Sequence, residues 1–294
     1  MNVPALGAVG LWSMALEGVP FEVERDALVE LDEQGWPAIW IPEAFGREAM
    51  AHAALALAAT QRTTIATGIA NQWARDPTTM ANGAATLAEA FPGRFVLGVG
   101  VSHRSTAKAR GRAPEASPLQ AVNDYLDAMD AARFSGVAPA EAAPVVLAAL
   151  GPKMLQVAAE RTAGAHTYTS PVAHTAMARG VLGAGPLLVP ELKVVMHADA
   201  DVARTTARAN LAGPLTLPNY RANLLRSGFT EGDLDGGGSD ALVDALVAWG
   251  DVDAVVTRVR EHQAAGADHV CLQVLPTGDG LPLAEWRELA AAFC

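Results

Sequence analysis

Short apolar runs alternate along this chain with longer stretches in which apolar residues recur at every third or fourth position. The first kind predicts buried strands and the second amphipathic helices. The clearest case lies between Arg62 and Val101. Thr63, Thr64, Ile65, Ala66 and Thr67 are β-branched or small and suit a buried strand that ends at Gly68. Asp76 then supplies an N-cap and Pro77 the first turn, where a missing N–H costs nothing, so a helix starts there. Met80, Ala84, Leu87, Ala88 and Phe91 give that helix one apolar face, and Pro92 and Gly93 end it. Phe95 opens a second apolar run, in which Gly98 and Gly100 remove side chains where another backbone or a flat ligand lies close. One helix between two buried strands is a βαβ unit, and its strands run parallel.

The same alternation predicts further strands at 8–12, 38–41, 144–150, 164–169, 192–197 and 269–274. Helices are predicted at 21–34, 48–60, 119–134, 153–163, 172–182, 252–265 and 282–293. Residues 102–116 read as an exposed basic loop, and 200–249 as a long polar and helical insertion between the seventh and eighth strands. An open doubly wound sheet would also alternate. Eight repeats without a composition break favour a closed (β/α)8 TIM barrel, an α/β fold in one domain over residues 1–294. The glycine-rich stretch 232–239 falls inside the insertion and reads as a mobile loop over one end.

Composition narrows the partners. Hydrophobic residues make up 51% of the chain, yet no apolar run reaches the roughly 18 residues of a membrane span. The first residues carry no basic segment ahead of their apolar ones, so they read as a first strand and not as a signal peptide. A net charge of -11 argues against nucleic acid, whose phosphates need basic surface. The two cysteines, Cys271 and Cys294, make no framework and fit a reducing cytoplasm.

In a barrel of this kind the ligand sits at the carboxyl ends of the strands. The candidates there are Ser13, Glu43, Gly68 to Asn71, Ser102 and His103, Ala149 to Gly151, Thr167 to Ser170, His197 and Gln273. No HExxH or clustered Cys/His spacing is present, so no catalytic metal is expected, and no GxSxG or GKS/GKT motif points to an acyl-hydrolase or a P-loop. Glu43 reads either as a rim carboxylate capping the next helix or as a site residue. His103 reads as a solvated loop residue or a site residue, and His166 and His269 as strand residues of the barrel wall. Gly151, Pro152 and Lys153 are either an ordinary Pro-initiated helix start or an anion site. Arg75 and Asp76 read as structural, and Trp73 as a packing residue or a pocket wall.

Several of these segments, taken in order, resemble the luciferase-like monooxygenase superfamily, in particular its branch using the deazaflavin coenzyme F420. They are WIPEAFG at 40–46, ARDPTTMA at 74–81, GRFVLGVG at 93–100, LGPKM at 150–154 and AGADHVCLQ at 265–273. The resemblance implies an oxidoreductase that moves a hydride between F420 and a small-molecule substrate, as a cytoplasmic homodimer without membrane or nucleic-acid partners. It implies an isoalloxazine-type ring over the barrel mouth, its edge against a bulge that holds Gly68, Ile69 and Asn71, with Gly100 beside it and a cis peptide between Gly68 and Ile69. The ribityl phosphate then lies near Ala149, Gly151, Thr169 and Ser170. The acidic polyglutamate tail would leave past Lys108, Arg110 and Arg112. F420-dependent sugar-phosphate dehydrogenases of the superfamily carry an acid followed by His after strand two, whereas this chain has Glu43 followed by Ala44. A sugar-phosphate substrate is therefore not expected, and the catalytic pair becomes Glu43 with His103 as proton donor. FMN with oxygen is the alternative cofactor chemistry, and a barrel that holds a flavin without turnover is the other.

Overall fold

The computed structural model describes residues 6–112 and 116–294. Its strands are β1 (Val9–Trp12), β2 (Ala38–Ile41), β3 (Thr64–Thr67), β4 (Ala70–Asn71), β5 (Phe95–Gly100), β6 (Val145–Ala148), β7 (Gly164–Thr167), β8 (Leu187–Val195), β9 (Val247–Trp249) and β10 (Val270–Val274). β1, β2, β3, β5, β6, β7, β8 and β10 pair in parallel around a closed ring. Closure is made by β10, which sets Cys271 opposite Gly10 of β1 and opposite Glu191 of β8. This is the (β/α)8 TIM barrel that the alternation predicts.

Helices α1 (Phe21–Gln34), α2 (Ala49–Ala59), α3 (Pro77–Ala90), α4 (Arg104–Ala109), α5 (Pro118–Asp130), α6 (Pro152–Arg161) and α7 (Val172–Leu182) follow the first seven turns of the chain. α8 (Ala200–Leu211), α9 (Pro218–Arg226) and α10 (Asp240–Leu246) lie between β8 and β9, and α11 (Val252–Ala264) and α12 (Leu283–Phe293) flank β10. Helix starts carry their signatures. Asp76 accepts the Thr79 N–H at 3.0 Å, Ser117 that of Gln120 at 3.2 Å and Asp251 that of Ala254 at 3.0 Å. No described helix is long and apolar enough to cross a membrane.

Alternation along the strands divides two cores. Ile39, Ile65, Leu97, Leu192 and Leu272 pack outward among the helices, while Trp12, Trp40, Ala66, Val96, Val146, Val189 and Cys271 form the barrel interior. That interior also takes buried polar groups at the same parity: His166, His269, Glu191, Lys193 and Gln273. Trp40 Nε1 donates to His269 Nε2 at 3.1 Å. An indole N–H only donates, so His269 is neutral and its Nδ1–H donates to the Gly7 carbonyl at 2.9 Å. His166 stacks on Trp40 at 4.9 Å and bonds the Val189 carbonyl at 2.8 Å.

Four local expectations need correction. β8 starts at Leu187 and not at 192, because Pro190 lies opposite Thr167, the last residue of β7, where its missing N–H breaks little of the ladder. The stretch 200–249 is not helical throughout, since Val247–Trp249 forms β9 on the edge of β8 opposite β10. The 102–116 segment is not all loop. Arg104–Ala109 is helical, a turn and a half whose one buried residue, Ala107, leaves no apolar period to read. Finally, 232–239 is no free loop, because Thr230 and Asp233 form a reciprocal capping box over a 3-10 stretch from Glu231 to Gly237.

Burial depresses the imidazoles of His166, His262 and His269 to about 4. Their unfolded-state value is near 6.5, so between those two values the unfolded chain binds more protons than the folded one. The stability they confer is complete above that upper value and is lost as pH falls, at up to about 1.4 kcal/mol per pH unit for each group. Thermal melts from pH 7.5 to 5 should therefore show a falling Tm, with a shallower fall in His166→Asn.

Candidate active site

The carboxyl end of the barrel is built on a buried ion pair. Glu43, just past β2, is buried; its Oε2 accepts the Asn71 N–H at 2.7 Å and its Oε1 the Ala49 N–H at 3.4 Å. Arg75 pairs with Glu43 and also with Glu48, the N-cap of α2, whose side chain accepts the Ala51 N–H at 2.8 Å. Burial opposes the Arg75 charge, but the hydrogen bond and charge of Glu43, joined by Glu48, hold the guanidinium above its ordinary value. Tyr125 Oη donates to the Arg75 carbonyl at 3.0 Å and fixes the same loop from α5. The helix-capping reading of Glu43 thus holds, since it receives a helix-start N–H, and the same carboxylate also pins the bulge at Asn71.

In that bulge the peptide between Gly68 and Ile69 is cis, as the resemblance implies. The Gly68 carbonyl accepts from Trp12 Nε1 at 2.8 Å. The small residues of β5 leave room for the protein's own atoms: a Cβ on Gly98 would lie 1.9 Å from the Thr67 carbonyl oxygen, and one on Gly100 would lie 2.7 Å from Ile69 Cδ1 and 2.9 Å from Ala148 Cβ. On the side where its Cβ would stand, Gly100 makes room for Ile69 and Ala148. Asn71 Oδ1 accepts the Trp73 N–H at 2.9 Å, and Asn71 Nδ2 is buried with no partner. A donor in that state is suited to a carbonyl on a bound ring.

Across the mouth lie the other expected residues. Gly151 is the N-cap of α6, and a Cβ there would meet only Arg226 Nη2, at 3.8 Å. Ala149 is buried and donates its N–H to the His166 carbonyl at 3.1 Å. His174, its imidazole held below the ordinary value by burial, bonds the Leu150 carbonyl at 2.8 Å. Thr169 has φ +54°, and Ser170, also buried, donates its hydroxyl to the Tyr168 carbonyl at 3.3 Å. A helix start with a guanidinium beside it is the arrangement a phosphate takes. The site therefore fits a flat ring with a phosphate tail: an unused amide donor on one side, an open N-terminus with Arg226 on the other.

His103 is half-buried at the N-cap of α4, and its ring lies 5.5 Å from that of Tyr220. Burial lowers its pKa against a hydrogen bond with Asn219. Tyr220 also packs 6.0 Å from Tyr168, which lies 5.0 Å from Trp12. Of the three basic rim residues, Arg110 is engaged, donating to the Ala44 carbonyl at 2.6 Å under the Phe45 ring, while Lys108 and Arg112 are exposed. His197 stands apart, its Nδ1 accepting the Asp199 N–H at 3.1 Å in the turn before α8.

Sequence reasoning included Tyr168 within the strand-end stretch Thr167 to Ser170 but missed Glu191, Lys193, Tyr220 and Arg226. Glu191 and Lys193 carry a readable signal, two charges at alternate positions of the apolar run LLVPELKVV, which sets both inside the barrel. Tyr220 and Arg226 come from α9, and nothing in that amphipathic stretch marks the face turned to the mouth.

With this geometry in view, comparison with known proteins is informative. The family model described as luciferase-like monooxygenase matches residues 5–269. The 5,10-methylenetetrahydromethanopterin reductase of Archaeoglobus fulgidus is 25% identical over 284 residues, covering 81% of this chain and 85% of the relative. An F420-dependent secondary alcohol dehydrogenase, solved with an F420–acetone adduct, superposes with a TM-score of 0.77 at 15% identity over 98% of each chain. The FMN-bound oxygenating constituent of 3,6-diketocamphane monooxygenase from Pseudomonas putida gives 0.70 at 15% identity, over 98% of this chain and 97% of the other.

Removing Arg75 leaves Glu43 buried beside a lost cation. Arg75→Met should cost about 3 kcal/mol in urea denaturation, whereas Glu43→Gln, which keeps an acceptor for the Asn71 N–H, should cost clearly less. Equal losses would show that the Arg75→Met cost does not come from a stranded carboxylate.

Proposed function

This chain belongs to the luciferase-like monooxygenase family, and on that premise we propose that it is an F420-dependent oxidoreductase transferring a hydride between the deazaflavin and a small organic substrate. The observation that carries the reading is Asn71: its backbone is pinned by Glu43, while its side-chain Nδ2 is buried and unused at the barrel mouth. The structural neighbour solved with an F420–acetone adduct supports F420 as the cofactor. When bound, the deazaflavin supplies a carbon centre that gives or takes a hydride.

The chain's own residues then have distinct tasks. Asn71 Nδ2 donates to a ring-edge carbonyl, and Gly68 and Ile69 shape the ledge beneath it. The start of α6 at Gly151, with Ala149 and Arg226 beside it, holds the phosphate, and Thr169 and Ser170 border it. Trp12, Tyr168 and Tyr220 line the mouth with apolar area and keep water from the reacting carbon. His103 moves the proton at the substrate oxygen. Glu43 acts through Asn71 as a positioning residue. A homodimer in the cytoplasm, working on a small molecule, completes the proposal. A second reading, a flavin-dependent monooxygenase, draws support from the FMN-bound structural neighbour.

Two experiments follow. Because burial lowers the His103 pKa below 6.5, the imidazole is neutral at pH 7 and accepts a proton when an alcohol is oxidised. In that direction kcat/KM should rise with pH through a value below 6.5, and in the reducing direction fall through the same value. His103→Ala should lower turnover by about 100-fold or more and abolish that limb. Full turnover in the variant would remove His103 from the chemistry. The cofactor is tested by fluorescence titration, in which F420 should bind and FMN bind more weakly. Tighter FMN binding with NAD(P)H-driven oxygen consumption would place the chain among the flavin monooxygenases.

A further inference from the structure

The most unusual charge in the molecule takes no part in the steps above. Lys193 has a side chain with no exposed surface, on an inward position of β8, and Glu191 two residues earlier is equally enclosed. Taking two charges out of water is costly and calls for compensating bonds. The Lys193 ammonium finds three acceptors at 3.0 Å: both Glu191 oxygens and Thr169 Oγ1. It also lies 3.9 Å from the centre of the Tyr168 ring. Glu191 Oε2 in turn accepts the Thr169 N–H at 3.0 Å. The pair therefore grips one residue twice, by its backbone and by its hydroxyl.

That residue is the one whose backbone most needs gripping. Thr169 has φ +54°, a left-handed conformation that a β-branched side chain disfavours and keeps only where its surroundings enforce it. Its neighbours are the wall of the mouth: Tyr168 before it, whose hydroxyl donates to Gln273 Oε1 at 3.0 Å, and Ser170 after it, leading into α7. A neutral hydrophobic pair at 191 and 193 would pack the barrel as well but would offer Thr169 neither an acceptor nor a donor.

We propose that the buried Glu191–Lys193 pair is a positioning device that holds the Thr169 loop in its left-handed shape so that the loop can receive the cofactor's phosphate tail. The inference rests on the F420 reading for the identity of the ligand, and on the hydrogen bonds alone for the clamp. Neither residue touches the reacting atoms. A Thr at 169 needs the clamp; a Gly, which adopts positive φ without cost, does not.

The test is the F420 affinity of Lys193→Met measured by fluorescence titration in two backgrounds, with Thr169 and with Thr169→Gly. With Thr169 present, Lys193→Met should weaken F420 by about tenfold or more; in the Thr169→Gly background the same substitution should cost less than about threefold. A merely structural lysine would give the same loss in both backgrounds, and that result, like wild-type affinity in Lys193→Met, overturns the proposal. Should Lys193→Met fail to fold, Glu191→Gln/Lys193→Met removes both charges together and is titrated in its place, with the same outcomes expected. Hydrogen exchange separates the clamp from the cofactor reading. The Thr169 amide should exchange about tenfold faster or more in the variant without any ligand. If the wild type binds neither F420 nor FMN, the cofactor reading fails, and faster exchange at Thr169 still supports the clamp. Unchanged exchange sinks the clamp whatever the cofactor proves to be.

Discussion

Glu43 and Arg75 meet where three elements end, and the geometry of the mouth depends on that contact. A carboxylate and a guanidinium shielded from water cannot separate without leaving a bare charge in a medium of low polarity. Their positions are therefore held more sharply than apolar packing alone would hold them. Through Glu43 the end of β2 is tied to the start of α2 and to β4; through Arg75 the tie extends to Glu48 and, by a carbonyl, to α5. The ledge at Gly68 to Asn71 thus inherits its place from four separate stretches of chain.

Glu191 and Lys193 do on the far side of the mouth what Glu43 and Arg75 do on the near side. In each pair a buried carboxylate accepts a backbone N–H, from Asn71 in the short strand β4 in one case and from Thr169 just past β7 in the other. In each a buried cation lies against that carboxylate, Arg75 in one case and Lys193 in the other. The barrel wall supplies the stiffness, and the two acids convert it into fixed loop backbone.

The barrel was legible because its signal is local. Runs such as AIWI and FVLGVG have no polar phase, and helix starts at Asp76, Ser117 and Asp251 carry their caps in the sequence. Glu43 was legible for a different reason, its place directly after a strand, and the bulge at Gly68 to Asn71 only through the family resemblance. What stayed hidden depends on contacts between distant segments. The missing side chains at Gly98 and Gly100 look the same in sequence whether a ligand or the chain's own Thr67 and Ile69 take up the room. Pro190 masked the first half of β8 and with it Glu191. Tyr220 reaches His103 across more than a hundred residues of intervening chain, a pairing no periodicity encodes.

Tyr220 also separates two kinds of inheritance within one molecule. The ledge and the two ion pairs belong to the barrel, whose eight strands constrain one another around a closed ring. The face that looks down on His103 belongs to α9, joined to that ring through the chain between β8 and β9 and packed largely on a core of its own around Leu215, Leu224, Leu234 and Leu242. Sequence drift in this cap can alter the shape and polarity above the histidine without disturbing a single strand pairing. The fold is in this sense a fixed instrument with an exchangeable aperture, in which selectivity is free to diverge while the machinery beneath stays unchanged.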